Sequence, residues 1–202
     1  MVPVPRAKLC VTEGALEGLN GSRLSVNVPK MRAFVAAVTP KAVEARLTYL
    51  GYTSDLARLG SGATRRQFGL KLRAHDACNL VYAMWRIEPR PEFVVSIKSN
   101  PGMRSSSECG NHGYRNIRPK RASALPRLSP GSSRVLSVEM AGSEMRVSVD
   151  GREVWEGDLG PEALSFDGPV GVRTDNGRFE FQILVREMGA PIDCRAGDQG
   201  GE

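Results

Sequence analysis

Hydrophobic and polar positions alternate along most of this chain, most clearly from Val135 to Val185. Leu136, Val138 and Met140 take every second position of one run. Met145, Val147 and Val149 do the same after a short turn, and Phe179, Phe181, Ile183 and Val185 line one side of the last run. A period of two sends successive side chains to opposite faces, so each run predicts a strand of an antiparallel sheet with one buried face. Asp150-Gly151 lies between two such runs and predicts a two-residue type I′ hairpin.

The same alternation recurs upstream. Leu24, Val26 and Val28 form one set, and Val43, Ala45, Leu47 and Tyr49 another. Phe68, Leu70 and Leu72 face one way, with Gln67, Lys71 and Arg73 among their neighbours; Phe93, Val95 and Ile97 make a further strand. Phe34–Val38 is a short apolar run. Leu80–Ile87 is apolar on both faces, which predicts a central strand with Trp85 in the core. Val154 and Trp155 are consecutive in a strand, so one of them is expected to face outward. Residues 99–133 have little apolar content and predict a long loop, of the kind that is functional or disordered. About ten short strands and little or no helix define an all-β, two-sheet antiparallel sandwich. The expected organisation is a single domain over 1–202, with a core at about 23–187 and a flexible C-terminal tail at 188–202.

Composition narrows the function classes. Apolar residues make up 41% of the 202, enough for a core, yet no run is long and apolar enough for a membrane span. The opening MVPVPRAKLC lacks the apolar region of a signal peptide. The expected compartment is therefore extracellular if a leader was removed, and otherwise cytoplasmic. The net charge of +6 hides a division: residues 1–135 hold 22 Lys and Arg against 8 Asp and Glu, and residues 136–202 hold 6 against 14. The basic excess peaks between Lys98 and Arg134. Such a segment attracts anions, unless it pairs with the acidic C-terminal third or is a solvated loop. No nucleic-acid module is present, so nucleic acid is not an expected partner. Neither a G-x-S-x-G elbow nor a P-loop occurs.

Two constellations could carry chemistry. His75-x-x-Cys78 and Cys109-x-x-His112 are mirror-image pairs whose four side chains would suit a tetrahedral zinc ion. The same cysteines could instead form disulfides, Cys78 with Cys109 and Cys10 with Cys194, or remain free thiols. No cofactor is expected, zinc being the alternative. The second constellation is the basic loop, where Lys98, Asn100, Arg104, Asn111, His112, Tyr114, Arg115 and Arg118 combine planar polar groups, an aromatic ring and cations. A site for an acidic sugar needs that mixture; a solvated polar loop would show it too.

The run SRVLSVEMAGSEMRVSVDGREVWEG follows a Pro130-Gly131 turn, and GPVGVRTDNGRFEFQILV closes the chain's strands. Together they resemble hairpin and closing-strand segments of the concanavalin A-like lectin/glucanase jelly rolls. That resemblance covers about a third of the chain. It implies a jelly-roll sandwich, but the superfamily includes lectins, laminin G-like modules, carbohydrate-binding modules, glycosidases and lyases, so fold alone does not choose. The glucanase branch carries E-x-D-x-x-E, which is missing here. Glu153, Glu156 and Asp158 come nearest, with Glu153 and Glu156 expected on opposite faces. The lyase branch uses Tyr with His or Arg, residue types that His112, Tyr114 and Arg115 supply. The resulting expectation is a non-catalytic binding module for carbohydrate, favouring an acidic polysaccharide. Its alternatives are a lyase or glycosidase on the same fold and a laminin G-like protein-interaction module.

Overall fold

The computed structural model describes residues 1–35, 41–186 and Cys194. In chain order its strands are β1 (Val2–Pro3), β2 (Leu9–Glu13), β3 (Glu17–Gly18), β4 (Leu24–Val26), β5 (Lys30–Val35), β6 (Ala42–Tyr52), β7 (Arg66–Leu72), β8 (Leu80–Glu88) and β9 (Glu92–Lys98). One α-helical turn, α1 (Ser106–Cys109), precedes β10 (Tyr114–Asn116) and β11 (Arg121–Ala122), and 3-10 turns lie at Arg6–Lys8 and Pro161–Leu164. Then follow β12 (Ser133–Ala141), β13 (Glu144–Val149), β14 (Arg152–Asp158), β15 (Gly171–Asp175) and β16 (Gly177–Val185). All pair antiparallel in two sheets. One has nine strands, in the order β11-β14-β13-β12-β6-β16-β4-β3 with β1 also on β16. The other has seven, in the order β10-β9-β8-β7-β15-β5-β2. The expected all-β sandwich is the observed architecture.

The alternating residues make its core. Leu136 faces Val149, Val138 faces Val147 and Met140 faces Met145 across β12 and β13. The Asp150-Gly151 turn joins β13 to β14 with both residues at positive φ, 51° and 77°, as a type I′ hairpin requires. Phe68 of the seven-stranded sheet meets Phe179 and Phe181 of the other edge-on, with ring centroids 5.3 and 5.4 Å apart. These contacts lock the sheets face to face. β8 is an interior strand, with Trp85 fully buried. The core also takes in Val4, Leu9 and Leu16, ahead of residue 23.

One expectation fails in an informative way. Val154 and Trp155 are both buried. Val147 pairs with Trp155 but Ser148 pairs with Glu153, so Val154 is the extra residue of a β-bulge. A bulge resets the alternation beyond it. Both apolar side chains therefore point inward, and Glu153, Glu156 and Asp158 share the outer face opposite Ser148, Arg146 and Glu144. The two glutamates do not lie on opposite faces.

Residues 99–133, expected as one loop, hold α1, β10 and β11. β10 extends the seven-stranded sheet at β9, while β11 extends the nine-stranded sheet at β14. Edge strands of three and two residues, all exposed, are too short and too polar to show a period. Two disulfides tie the fold: Cys10–Cys194, with Cα atoms 5.3 Å apart, and Cys78–Cys109, at 5.9 Å. Apart from Cys194, the tail at 188–202 lies outside the described residues, as do residues 36–38 of the Phe34–Val38 run.

Candidate binding cleft on the seven-stranded sheet

The inward faces of β7, β8 and β15 are apolar because they meet the other sheet. Their outward faces are not. Cross-strand pairing places Phe34, Gly171, Lys71, Tyr82, Ser96 and Asn116 in one row across the sheet. The next row runs Arg32, Arg173, Gly69 and Met84, and the third runs Lys30, Asp175, Gln67 and Arg86. Above them lies a cleft of about 820 Å³. Its walls come from the Leu59–Ser61 segment, the β7–β8 connection, the α1 region and residues 167–169.

The floor is held by a buried charge cluster. Asp175 is fully buried and accepts hydrogen bonds from Gln67 Nε2 at 2.5 Å, Arg32 Nη2 at 2.6 Å and Arg173 Nε at 2.9 Å. Burial pushes its carboxyl pKa up, but Arg173 and Arg32 outweigh that and hold it below the ordinary range. Lys71 is 8% exposed, and burial pulls its amine down. Tyr82 lies beneath Arg173, whose guanidinium carbon is 5.1 Å from the ring centroid. Burial works to raise the Tyr82 hydroxyl, yet Arg173, Lys71 and Arg32 together leave it below a free phenol. Tyr114, reaching across from β10, stacks on Tyr82 at 5.9 Å between centroids and 22° between planes. Burial and the nearby Tyr82 raise its own hydroxyl.

The walls are fastened to this floor. The Cys78–Cys109 bond joins the β7–β8 connection to α1. Lys98 donates to the carbonyls of Ala77 at 3.1 Å and Gly110 at 2.9 Å, closing the same junction. Glu108 caps α1 by accepting from the backbone N–H groups of Ser105 at 2.7 Å and Arg104 at 2.9 Å. Those two bonds, Ser105's first, lower its carboxyl pKa.

Of the residues singled out in the basic loop, Lys98, Arg104, Asn111 and Tyr114 line the cleft. The other four do not. Asn100 is a scaffold residue whose amide donates to the carbonyls of Cys78 and His112. His112 and Arg118 are exposed outside the cleft. Arg115 turns away and clasps Glu162, at 3.0 and 2.7 Å. His112, Tyr114 and Arg115, which would serve a lyase, are therefore not gathered at one point. The disulfide occupies both sulfurs that the alternative zinc set of His75, Cys78, Cys109 and His112 needs. His75 instead lies in the cleft wall, its Nδ1 3.2 Å from the Asp167 carbonyl oxygen.

Much of the basic segment is neutralised inside the molecule. Lys120 pairs with Glu144, Arg121 with Glu156 and Arg134 with Asp150, alongside Arg115 with Glu162. A cationic excess remains in the cleft, where eight Lys and Arg residues line the walls and floor with three carboxylates, Glu13, Asp76 and Asp167, and two further carboxylates, Asp175 and Glu92, pair with Arg32, Arg173 and Arg86. The glucanase-like carboxylates are on the other sheet, with Glu156 within 3.6 Å of Arg121 and 3.5 Å of Arg146.

No protein-family model matches this sequence, and no curated protein matches it. Solved structures do match in fold, as two-sheet antiparallel sandwiches. The carbohydrate-binding module CBM66 from Bacillus subtilis superposes with a TM-score of 0.59 at 15% identity, over 86% of this chain and 91% of that one. The carbohydrate recognition domain of Emp46p, in metal-free form, superposes with a TM-score of 0.55 at 8% identity, over 88% of each chain.

Proposed function

We propose that this protein is a non-catalytic carbohydrate-binding module whose ligand lies in the cleft on the seven-stranded sheet, and that the ligand is an acidic glycan. The observation that carries this reading is the cleft's own lining, an excess of cations around a stacked tyrosine pair. Tyrosine offers an apolar face to a sugar ring and a hydroxyl to its polar edge, while Arg and Lys meet carboxylate or sulfate. The fold shared with a carbohydrate-binding module and a carbohydrate recognition domain supports it. Two disulfides support an oxidising, extracellular setting. Calorimetry against uronic-acid, sulfated and neutral oligosaccharides tests the reading. Acidic ligands should bind and should weaken steeply with added salt, as screened charges require. Binding to neutral sugars alone, or to none, would refute it.

A second reading keeps the same cleft but adds catalysis. Tyr82 and Tyr114, stacked beside Lys71 and Arg173, are the residue types a lyase would use to move a proton. Release of an unsaturated, ultraviolet-absorbing product from a polyuronate would establish that activity. Stable binding without such a product would leave the module non-catalytic.

A further inference from the structure

A cation taken out of water is tolerated when it is paired or fully hydrogen-bonded. The cleft floor meets that condition for Arg32, meets it in part for Arg173 and falls short for Lys71. Arg32 is saturated: it binds Asp175 and the carbonyls of Met31 and Thr174, and Glu13 lies 3.6 Å away. Arg173 reaches Asp175 through Nε, which leaves its terminal nitrogens without a carboxylate. The Lys71 ammonium makes no hydrogen bond or ion pair with any described residue, although the side chain is more than nine-tenths buried and opens into the cleft.

These two groups are close neighbours on one face. Lys71 stands opposite Gly171 on one side and Tyr82 on the other. Arg173 is two residues along from Gly171, so the two cations sit diagonally across adjacent strands. Gly171 cannot carry a side chain, since a Cβ there would stand 2.3 Å from the Ala33 carbonyl oxygen.

We propose that Lys71 and Arg173, with the Tyr82 hydroxyl, form a subsite for one oxyanion carried on a sugar ring, either the carboxylate of a uronic acid or a sulfate ester. The inference rests on the carbohydrate reading above and gives it a specific anchor. The anion supplies the counter-charge that Lys71 lacks and that Arg173 shares with Arg32 through the single carboxylate of Asp175, and the guanidinium offers parallel donors suited to two oxygens of one group. The exposed edge of Tyr114, stacked on Tyr82, is placed to meet a sugar ring attached to that group.

The test compares the native protein with Lys71→Met by calorimetry and thermal unfolding. The ligands are a uronate oligosaccharide, its methyl ester, a sulfated oligosaccharide and inorganic sulfate. Native protein should bind at least one acidic oligosaccharide about thirtyfold or more tighter than the ester, and Lys71→Met should abolish that difference. The uronate and sulfated ligands distinguish the two sources of the oxyanion. The variant should unfold at the same temperature as the native protein or higher, because a buried unpaired cation gives way to an apolar side chain of similar size. Equal binding of acid and ester, unchanged in Lys71→Met, would overturn the subsite and leave the carbohydrate reading intact. Stabilisation by sulfate that Lys71→Met removes, without binding of any sugar, would uphold the subsite and overturn the carbohydrate reading. No response to any of the four ligands would overturn both.

Discussion

At the scale of single residues, Asp175 is the keystone of the cleft floor. It alone orders Gln67, Arg32 and Arg173 together, through three short hydrogen bonds. Asp175→Asn would leave two buried guanidinium groups short of their shared counter-charge. A loss of about 3–5 kcal/mol in urea unfolding is expected. The same residue imposes a pH dependence. Its folded pKa lies below the unfolded value, so the stabilisation is complete above the ordinary aspartate pKa, about 3.9, and disappears as pH falls through the lower folded value. Unfolding midpoints measured downward from pH 5 should fall more steeply for the native protein than for Asp175→Asn. Parallel curves would show that Asp175 does not titrate as this geometry requires.

At the scale of elements, the disulfide between Cys78 and Cys109 governs the cleft wall. It spans 31 residues and joins the β7–β8 connection to α1, which carries Arg104 and Asn111 on its flanks. Replacing both cysteines by alanine should lower stability by about 2–4 kcal/mol. It should also weaken acidic-glycan binding without altering far-ultraviolet dichroism, because the sheets lie elsewhere. The strands themselves were largely legible in the sequence: a period of two reports burial directly, and Asp150-Gly151 marks its own turn. The bulge at Val154 was hidden, because nothing in Val154-Trp155 says that a residue is extra; only the partner strand does. The site was legible in part. Tyr114, Lys98, Arg104 and Asn111 drew notice as members of a polar, basic loop. Lys71, Tyr82 and Arg173 did not, since each sits inside a strand and reads as an ordinary outward-facing position or as part of an apolar run. A signal was present in the charged residues at alternate positions of β8 and β15, Arg86 with Glu88 and Arg173 with Asp175. It acquires meaning only once β7, β8 and β15 are known to be neighbours.

At the scale of the whole molecule, charge is partitioned between the two sheets. Four carboxylates of the acidic C-terminal third, Glu144, Asp150, Glu156 and Glu162, pair with Lys120, Arg134, Arg121 and Arg115. The seven-stranded sheet keeps its cations facing an open cleft. Arg115→Ala together with Arg118→Ala should therefore leave glycan affinity nearly unchanged, whereas loss of cleft cations should not. The most direct measurement is a titration of amide resonances with an acidic oligosaccharide that binds. Shifts should concentrate on β7, β8, β10 and β15, around Lys71, Tyr82, Tyr114 and Arg173. Shifts confined to Arg115–Arg118, or to the outer face of the nine-stranded sheet, would contradict binding in the cleft.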